Sequence, residues 1–167
     1  MSRLLVLLNR LKAEARPDWL TDSQRTAVDE IQRLWRFPER INLYGPRGSG
    51  KTFLAWSAAR AYDASLYPSP RIYHASATPG TARVVIDNAP DDGTALRRLL
   101  AELQLSGTQR ALIITTLPNR LGLVTVALPQ PTPQDVDIVH RNLSLLDYYS
   151  LSPHYNANLW SIISQVL

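Results

Sequence analysis

Residues 41–53 read Ile-Asn-Leu-Tyr-Gly-Pro-Arg-Gly-Ser-Gly-Lys-Thr-Phe, and this stretch decides the fold. Gly45, Gly50, Lys51 and Thr52 match the phosphate-binding-loop (P-loop) pattern, in which four variable residues separate the first glycine from Gly-Lys-Ser/Thr. The apolar run before the loop predicts a buried strand, and the residues after it carry apolar side chains at helical spacing. A strand, a glycine-rich turn and a helix are therefore expected in the order that the motif requires.

Each residue type in the loop suits a phosphate ligand. Glycines let the backbone turn tightly and approach phosphate oxygens, while the loop amides and the helix N-terminus face the anion. Lys51 is predicted to contact the β- and γ-phosphates and Thr52 to bind Mg²⁺, so ATP and Mg²⁺ are the expected ligands. The alternative is a strand–helix turn that binds nothing. The predicted nucleotide-binding residues are Gly45, Pro46, Arg47, Gly48, Ser49, Gly50, Lys51, Thr52 and Phe53.

A second motif, Val84-Val85-Ile86-Asp87, is an apolar strand that ends in an aspartate. In a parallel sheet such a strand carries its carboxylate to the edge where the P-loop lies, and there the carboxylate helps to hold magnesium. Asp87 is therefore the predicted second metal ligand beside Thr52. The alternative is an aspartate that only starts a loop.

The bulk composition limits the possible functions. The chain has 167 residues, 45% apolar and 19% charged, which predicts one domain with at most a small appendage. It contains no cysteine, which excludes disulfides and thiol catalysis. The net charge of +4 permits contact with DNA, and no segment reaches the ~18 apolar residues of a membrane span. We expect a cytoplasmic protein without a membrane partner.

The remaining pattern predicts an amphipathic helix near the N-terminus and a helix that starts at the capping-box sequence after Leu20. Residues 71–76 and 82–87 predict two strands joined so closely that they form either a hairpin or an unusually tight parallel pair, with no crossover helix between them. Strands are also predicted at 111–115 and 123–128. The predicted division is an N-terminal helix and linker (1–20), a core (21–131) and a short helical lid (132–167).

From about residue 20 to residue 146 the order of motifs resembles the AAA+ ATPases, in particular the compact initiator, helicase-loader and transposition-regulator type. The matching segments are INLYGPRGSGKTFLAW, RVVIDNAP, ALIITTLPN and LVTVALPQPTPQD. The resemblance implies an α/β fold: a P-loop three-layer αβα sandwich with a mostly parallel, five-stranded sheet and a short C-terminal helical lid. It also implies a nucleotide bound between sheet and lid, and assembly into rings or filaments.

The same resemblance assigns further roles. Thr115 or Thr116 would sense the γ-phosphate, the alternative being β-branched residues that only fill a strand. Arg120 would act as an arginine finger on a neighbour's nucleotide, or is an ordinary surface arginine. Asn88 stands where the family normally has the glutamate that polarises the attacking water, and the nearest acids that could replace it are Asp91 and Asp92.

The sequence therefore predicts a nucleotide-dependent assembly or regulatory switch that is a weak or partner-stimulated ATPase. A hydrolysis-deficient nucleotide-binding scaffold is one alternative, and a small-molecule P-loop kinase is another. The predicted partners are a second copy of the chain or another ATPase or protein, with DNA possible for a DNA-associated regulator through the mildly basic surface.

Overall fold

The computed structural model describes residues 3–148 together with Leu159 and Ile163. Within them, five strands form one sheet in the order β2-β3-β4-β1-β5, and all neighbouring pairs are parallel. The predicted α/β class is confirmed, and the sheet is wholly rather than mostly parallel. The strands are β1 (Arg40–Tyr44), β2 (Ser65–Tyr67), β3 (Arg83–Ile86), β4 (Arg110–Thr115) and β5 (Val124–Ala127).

Helices cover both faces of this sheet and form the outer layers. The helices of the described residues are α1 (Arg3–Ala13), α2 (Asp22–Leu34), α3 (Lys51–Ala61), α4 (Pro70–Ser76), α5 (Gly93–Leu105) and α6 (Pro133–Ser144), with one 3₁₀ turn at Pro17–Trp19. None of the helices in this part of the chain is both long and apolar enough to cross a bilayer.

The alternation of side chains along each strand builds two cores. Ile41 and Leu43 of β1 are fully buried on the face that packs against α2 and α3. Val84 and Ile86 of β3 are fully buried on the opposite face, against α4 and α5. Since both faces are covered, the central strands are apolar along most of their length, which is typical of parallel sheets.

The segment before β3 differs from the sequence prediction. Residues 71–76, predicted as a strand, lie in the helix α4, and the edge strand is the three-residue β2 just before it. Ser69 caps this helix by accepting a hydrogen bond from the Ile72 amide, and Pro70 occupies its first turn, where a missing N–H costs nothing. The prediction that no crossover helix lies between the two strands was therefore wrong, since α4 connects β2 and β3. Of the two pairings left open, a hairpin or a parallel pair, β2 and β3 form the parallel one.

Two helices begin at capping residues that the sequence indicates. The Thr21 side chain accepts a hydrogen bond from the Gln24 amide and the Gln24 side chain accepts one from the Thr21 amide, which is a complete capping box at α2. The same arrangement of Thr132 and Asp135 starts α6. Gly107, just after the end of α5, has a φ of +74°, the left-handed conformation in which glycine commonly ends a helix.

The N-terminal helix packs on its own domain. Leu7 and Leu11 of α1 are buried with Val136 and Leu143 of α6. Arg10 donates a hydrogen bond of 3.1 Å to the Leu146 carbonyl from the same side of α1. The last predicted helix, from residue 152 to the end, lies outside the described residues except for two helical positions, Leu159 and Ile163.

Candidate functional site

The strand order brings the three motifs of the sequence to one edge of the sheet. β4 lies between β1 and β3, and all three are parallel, so their carboxyl ends are neighbours. The P-loop follows β1, Asp87 follows β3, and Thr115 ends β4. In open parallel sheets the ligand binds outside this edge, so the topology alone places the predicted residues around a common site.

Two glycines of the P-loop are required by geometry. A Cβ on Gly45 would collide with the backbone carbonyl of Leu128, which follows β5. Gly50 has a φ of +89° and caps α3, a backbone conformation that other residues adopt at a cost. The loop is thus held between the end of β5 and the start of α3.

Lys51 lies inside the loop. Its Nζ donates hydrogen bonds to the carbonyl oxygens of Gly45 and Pro46, the latter at 2.7 Å. Burial lowers the pKa of the Lys51 amine, and the carboxylates of Asp87 and then Asp91 oppose that effect. The amine therefore lies near two acids at the rim of the loop, where an anionic ligand would add a further favourable charge.

Thr52 and Asp87 meet directly. The Thr52 hydroxyl donates a hydrogen bond of 2.8 Å to Oδ2 of Asp87, which is only 5% exposed. A hydroxyl and a carboxylate at this separation are two hard oxygen donors of the kind that Mg²⁺ takes from a protein, the remaining positions being filled by water and phosphate. Among the described residues there is no cluster of three or more His, Cys, Asp or Glu side chains that could hold a metal ion.

Ser49 adds an observation that the sequence did not provide. Its hydroxyl is buried and has no hydrogen-bond partner in the part of the chain that the structure describes. A Cβ built on Gly45 would lie 3.2 Å from this hydroxyl, so Ser49 packs close to the start of the loop. Buried hydroxyls are normally paired, so the Ser49 hydroxyl is an exception within this loop.

Asn88 is turned toward the loop before α4. Its φ is +50°, a conformation in which asparagine is among the best-tolerated residues. Its backbone amide donates 2.8 Å to Oδ1 of Asp87, and its side-chain amide donates 3.1 Å to the Pro68 carbonyl. Asn88 borders the site, but its amide hydrogens are partly engaged elsewhere.

The two threonines at the end of β4 differ. The buried Thr115 hydroxyl donates 2.7 Å to the Leu117 carbonyl and accepts 2.7 Å from the side-chain amide of Asn42, so it holds the turn after β4. Thr116 is only partly buried and also borders the site. A γ-phosphate-sensing role remains a prediction for both, and the geometry favours Thr116.

Arg120 lies apart from these groups. It is exposed in the connection between β4 and β5 and is not among the residues that line the site. That connection has no helix; Asn119 fixes it instead, its backbone amide donating 2.9 Å to Oδ1 of the fully buried Asn42. The position is compatible with action on a neighbouring molecule, and the finger role remains a prediction.

The P-loop, the ends of β3 and β4, the helices α1 and α3 and the two described C-terminal residues line a cavity of about 640 Å³. One side is polar and includes Arg47, Lys51, Thr52, Asp87 and Asp91. The other side is apolar and is formed by α1, α3 and the two described C-terminal residues; its members are Leu8, Leu11, Phe53, Trp56, Leu159 and Ile163. The volume falls within the range of small-molecule sites, and the split suits a ligand with a charged end and a flat apolar end.

Three contacts of the site were not read from the sequence. The buried Gln24 donates 3.1 Å to the Gly50 carbonyl, and the Leu159 amide donates 2.8 Å to the Gly48 carbonyl. Asn42 holds the turn after β4, and its only sequence signal is a single polar residue inside an apolar strand. The partner of each residue is distant in the chain, and no local pattern identifies it.

Comparison with known proteins shows the fold and leaves the family open. No protein-family model matches the chain, and no curated protein matches it. A crystal structure of a DNA replication initiation factor is similar over 88% of this chain and 60% of that chain, with 14% identity and a TM-score of 0.56. The replication initiator DnaA bound to AMPPCP and single-stranded DNA is similar over 84% of this chain and 57% of that chain, with 14% identity and a TM-score of 0.52.

At this identity the likeness is one of fold: the chain shares its P-loop α/β fold with these two solved structures. It spans only 57–60% of the length of those two solved chains.

Proposed function

We propose that this protein binds ATP with Mg²⁺ and acts as a nucleotide-dependent assembly or regulatory switch with slow or partner-stimulated ATP hydrolysis. The observation that carries the proposal is the 2.8 Å hydrogen bond between Thr52 and Asp87 beside the Lys51 amine. It unites residues from two motifs that were assigned separately, at a distance suited to one shared metal ion.

In this proposal Lys51 and the loop amides hold the phosphates, while Thr52 and Asp87 hold Mg²⁺, which would neutralise phosphate charge. The apolar side of the cavity receives the base.

The chain divides into an N-terminal helix and linker (1–20), a core (21–131) and a lid (132–167). The first and last of these segments are in contact, since α1 and α6 share one apolar cluster with residues that border the cavity.

The metal assignment is tested by removing the acid. In Asp87→Ala we expect ATP affinity to become independent of Mg²⁺ and to fall about tenfold in its presence, because a charge-assisted contact is worth roughly 1.5 kcal/mol. Some metal-free binding remains, since Lys51 and the amides are unchanged. The measurement is titration calorimetry with ATP, with and without Mg²⁺.

Two further variants sharpen that experiment. Asp87→Asn keeps an oxygen for the Thr52 hydroxyl and should preserve the fold while losing the charge. Asp29→Ala, on the exposed side of α2, removes the same charge far from the site and should keep the full Mg²⁺ dependence. If Asp87→Ala retained that dependence, Asp87 would not be a metal ligand.

A hydrolysis-deficient scaffold is the second candidate, and Asn88 favours it. An asparagine amide cannot accept the proton of the attacking water, since it does not titrate near neutrality. Phosphate release from ATP without an acceptor separates the switch from both the scaffold and a kinase. A stable ATP complex that shows no turnover, alone or with DNA, would establish the scaffold.

DNA is a partner to test because one structural neighbour is bound to single-stranded DNA and this chain carries a net charge of +4. Self-association is the other proposed route of regulation, with Arg120 reaching the nucleotide of a neighbouring copy. Since Arg120 is exposed and lies outside the cavity, it is free to contact a second molecule.

We expect ATP to promote oligomers, and Arg120→Ala to weaken that association about fivefold, because exposed charge contacts are worth up to ~1 kcal/mol. Turnover should fall with it, while ATP affinity stays unchanged. Analytical ultracentrifugation with ATP or ADP measures the effect, and Arg97→Ala on the exposed side of α5 is the charge-matched control. A monomer with ATP at tens of micromolar protein would exclude the finger role.

A further inference from the structure

Asp91 lies in the loop between β3 and α5 and is fixed to the end of β4. Its Oδ1 accepts hydrogen bonds from the backbone amides of Thr116 at 2.8 Å and Leu117 at 2.9 Å. The partners are 25 and 26 residues away in the chain, so this is a tertiary contact. The structure describes no partner for the second oxygen, Oδ2, although the residue as a whole is exposed.

This carboxylate belongs to the wall of the cavity. Asp91 lines it together with Lys51, Thr52, Asp87 and Thr116. After Asp87, Asp91 is the acid whose charge acts most on the Lys51 amine. The loop after β3, where the sequence offered Asp91 and Asp92 as replacements for the missing glutamate, therefore reaches the site through Asp91.

The other candidates for a proton acceptor are ruled out by their chemistry or their contacts. Asn88 has no titratable group, and its amide donates to the Pro68 carbonyl. Asp92 is not among the lining residues, and its Oδ2 accepts 2.7 Å from the Ala95 amide as the cap of α5. Asp87 bonds to Thr52 and is the proposed metal ligand. Among the described acids at this edge, Asp91 alone lines the cavity with an oxygen available.

We propose that Asp91 is the general base of ATP hydrolysis in this protein, taking the place of the glutamate that Asn88 replaces. The inference rests on the proposed ATP site. The water oxygen attacks the γ-phosphorus, the bond from that phosphorus to the β-bridging oxygen breaks, and its electron pair leaves with ADP. The proton of the water passes to Oδ2 of Asp91 and from there to solvent, which the exposed side chain reaches.

The proposal explains why the carboxylate is fixed by backbone amides rather than by a side chain. The two amides hold Oδ1 at the end of β4, next to Thr116. Because Oδ1 is held there, the position of Oδ2 is also set relative to this strand end. A base and a phosphate-sensing hydroxyl held by one strand end keep a constant separation, which is what orientation of a single water requires.

The decisive variant is Asp91→Asn. Its side-chain oxygen can still accept both amide hydrogen bonds, so we expect unchanged thermal stability and unchanged ATP affinity. Turnover should fall roughly 10²–10⁴-fold, the usual contribution of general-base catalysis. Protein incubated with ATP should then retain ATP in Asp91→Asn and contain ADP in the wild type, as chromatography of the bound nucleotide shows.

Asp91→Ala and Asp92→Asn complete the design. Asp91→Ala removes the anchor as well and should lower both turnover and stability, whereas Asp92→Asn keeps a good helix cap and should behave as the wild type. Turnover of Asp91→Asn within twofold of the wild type would overturn the proposal, and so would a loss of stability and ATP affinity equal to that of Asp91→Ala.

The failure of the proposed function has a different signature. A wild-type protein that does not bind ATP contradicts the nucleotide site itself. One that binds ATP but never hydrolyses it, with or without DNA, contradicts the role of Asp91 and leaves the nucleotide site standing.

Discussion

Lys51→Ala is expected to weaken ATP binding from tenfold to about 150-fold, because a hydrogen bond from a charged donor to phosphate is worth roughly 1.5–3 kcal/mol. The amine is already inside the loop, where it contacts the Gly45 and Pro46 carbonyls. A phosphate entering the loop would exchange those neutral acceptors for an anionic one. Titration calorimetry with ATP at fixed Mg²⁺ measures the loss.

The matched control is Arg33→Ala. Arg33 is in the last turn of α2, shortly before β1 begins, whereas the P-loop follows the other end of β1. Its side chain is 72% exposed. It removes one positive charge from the protein without touching the site, so ATP affinity should change little at physiological salt. Equal ATP affinity of Lys51→Ala and the wild type, with both proteins folded by circular dichroism, would remove the claim that the loop binds phosphate.

Much of the fold could be predicted because its signals are local. The P-loop pattern, the apolar strands and the capping boxes each involve residues within a few positions of one another. Thr21 and Gln24 are three residues apart, and so are Thr132 and Asp135. The conformation of these segments depends mainly on residues close in sequence, and the folded structure keeps that conformation.

The region before β3 was misread because its local signals conflict. Ile72 and Tyr73 favour a strand by residue type, while Ser69 and Pro70 favour the start of a helix. Tyr73 is buried against Tyr67 of β2, with ring centroids 5.1 Å apart, so the tertiary packing supports the helix. A three-residue strand is too short to show an alternation, and β2 was therefore missed.

Within the site, residue types could be predicted but partners could not. Lys51, Thr52 and Asp87 were identified because motif spacing implies their roles. The contacts of Asp91 with Thr116 and of Gln24 with Gly50 join residues that are 25 and 26 positions apart. Such pairs follow from strand order and loop paths, which composition and periodicity do not determine.

Asp135 provides the largest expected effect on stability. It is 1% exposed; Oδ1 accepts from the Ser23 amide at 3.1 Å, and Oδ2 accepts from the Ser23 hydroxyl at 2.6 Å and the Thr132 amide at 2.9 Å. It thus joins the N-terminus of α6 to that of α2, whose Gln24 in turn contacts the P-loop at Gly50. Both helix N-termini also favour a negative charge at this point.

We expect Asp135→Asn to lower the free energy of unfolding by about 2–4 kcal/mol at pH 7. An amide group can accept fewer hydrogen bonds, so a capping interaction worth about 1 kcal/mol is weakened and buried donors are left unpaired at roughly 1–3 kcal/mol. Urea denaturation measures the difference. Asp137→Asn, two residues further along α6 and exposed, is the matched control and should change stability by less than about 0.5 kcal/mol.

The stability difference between the wild type and Asp135→Asn should depend on pH, in a direction set by the pKa of Asp135. Burial alone would raise the pKa of the Asp135 carboxyl, but hydrogen bonds from Ser23, Thr132 and Thr21 outweigh it, so the pKa lies below the ordinary value. A carboxyl whose pKa is lower in the folded state adds stability above its unfolded pKa, about 3.9, and that stability is lost as the pH falls through the folded value. The difference between wild type and Asp135→Asn should therefore be largest above about pH 5 and shrink at lower pH. A difference that stayed constant between neutral and strongly acidic pH would show that the charge of Asp135 does not stabilise the junction of the two helices.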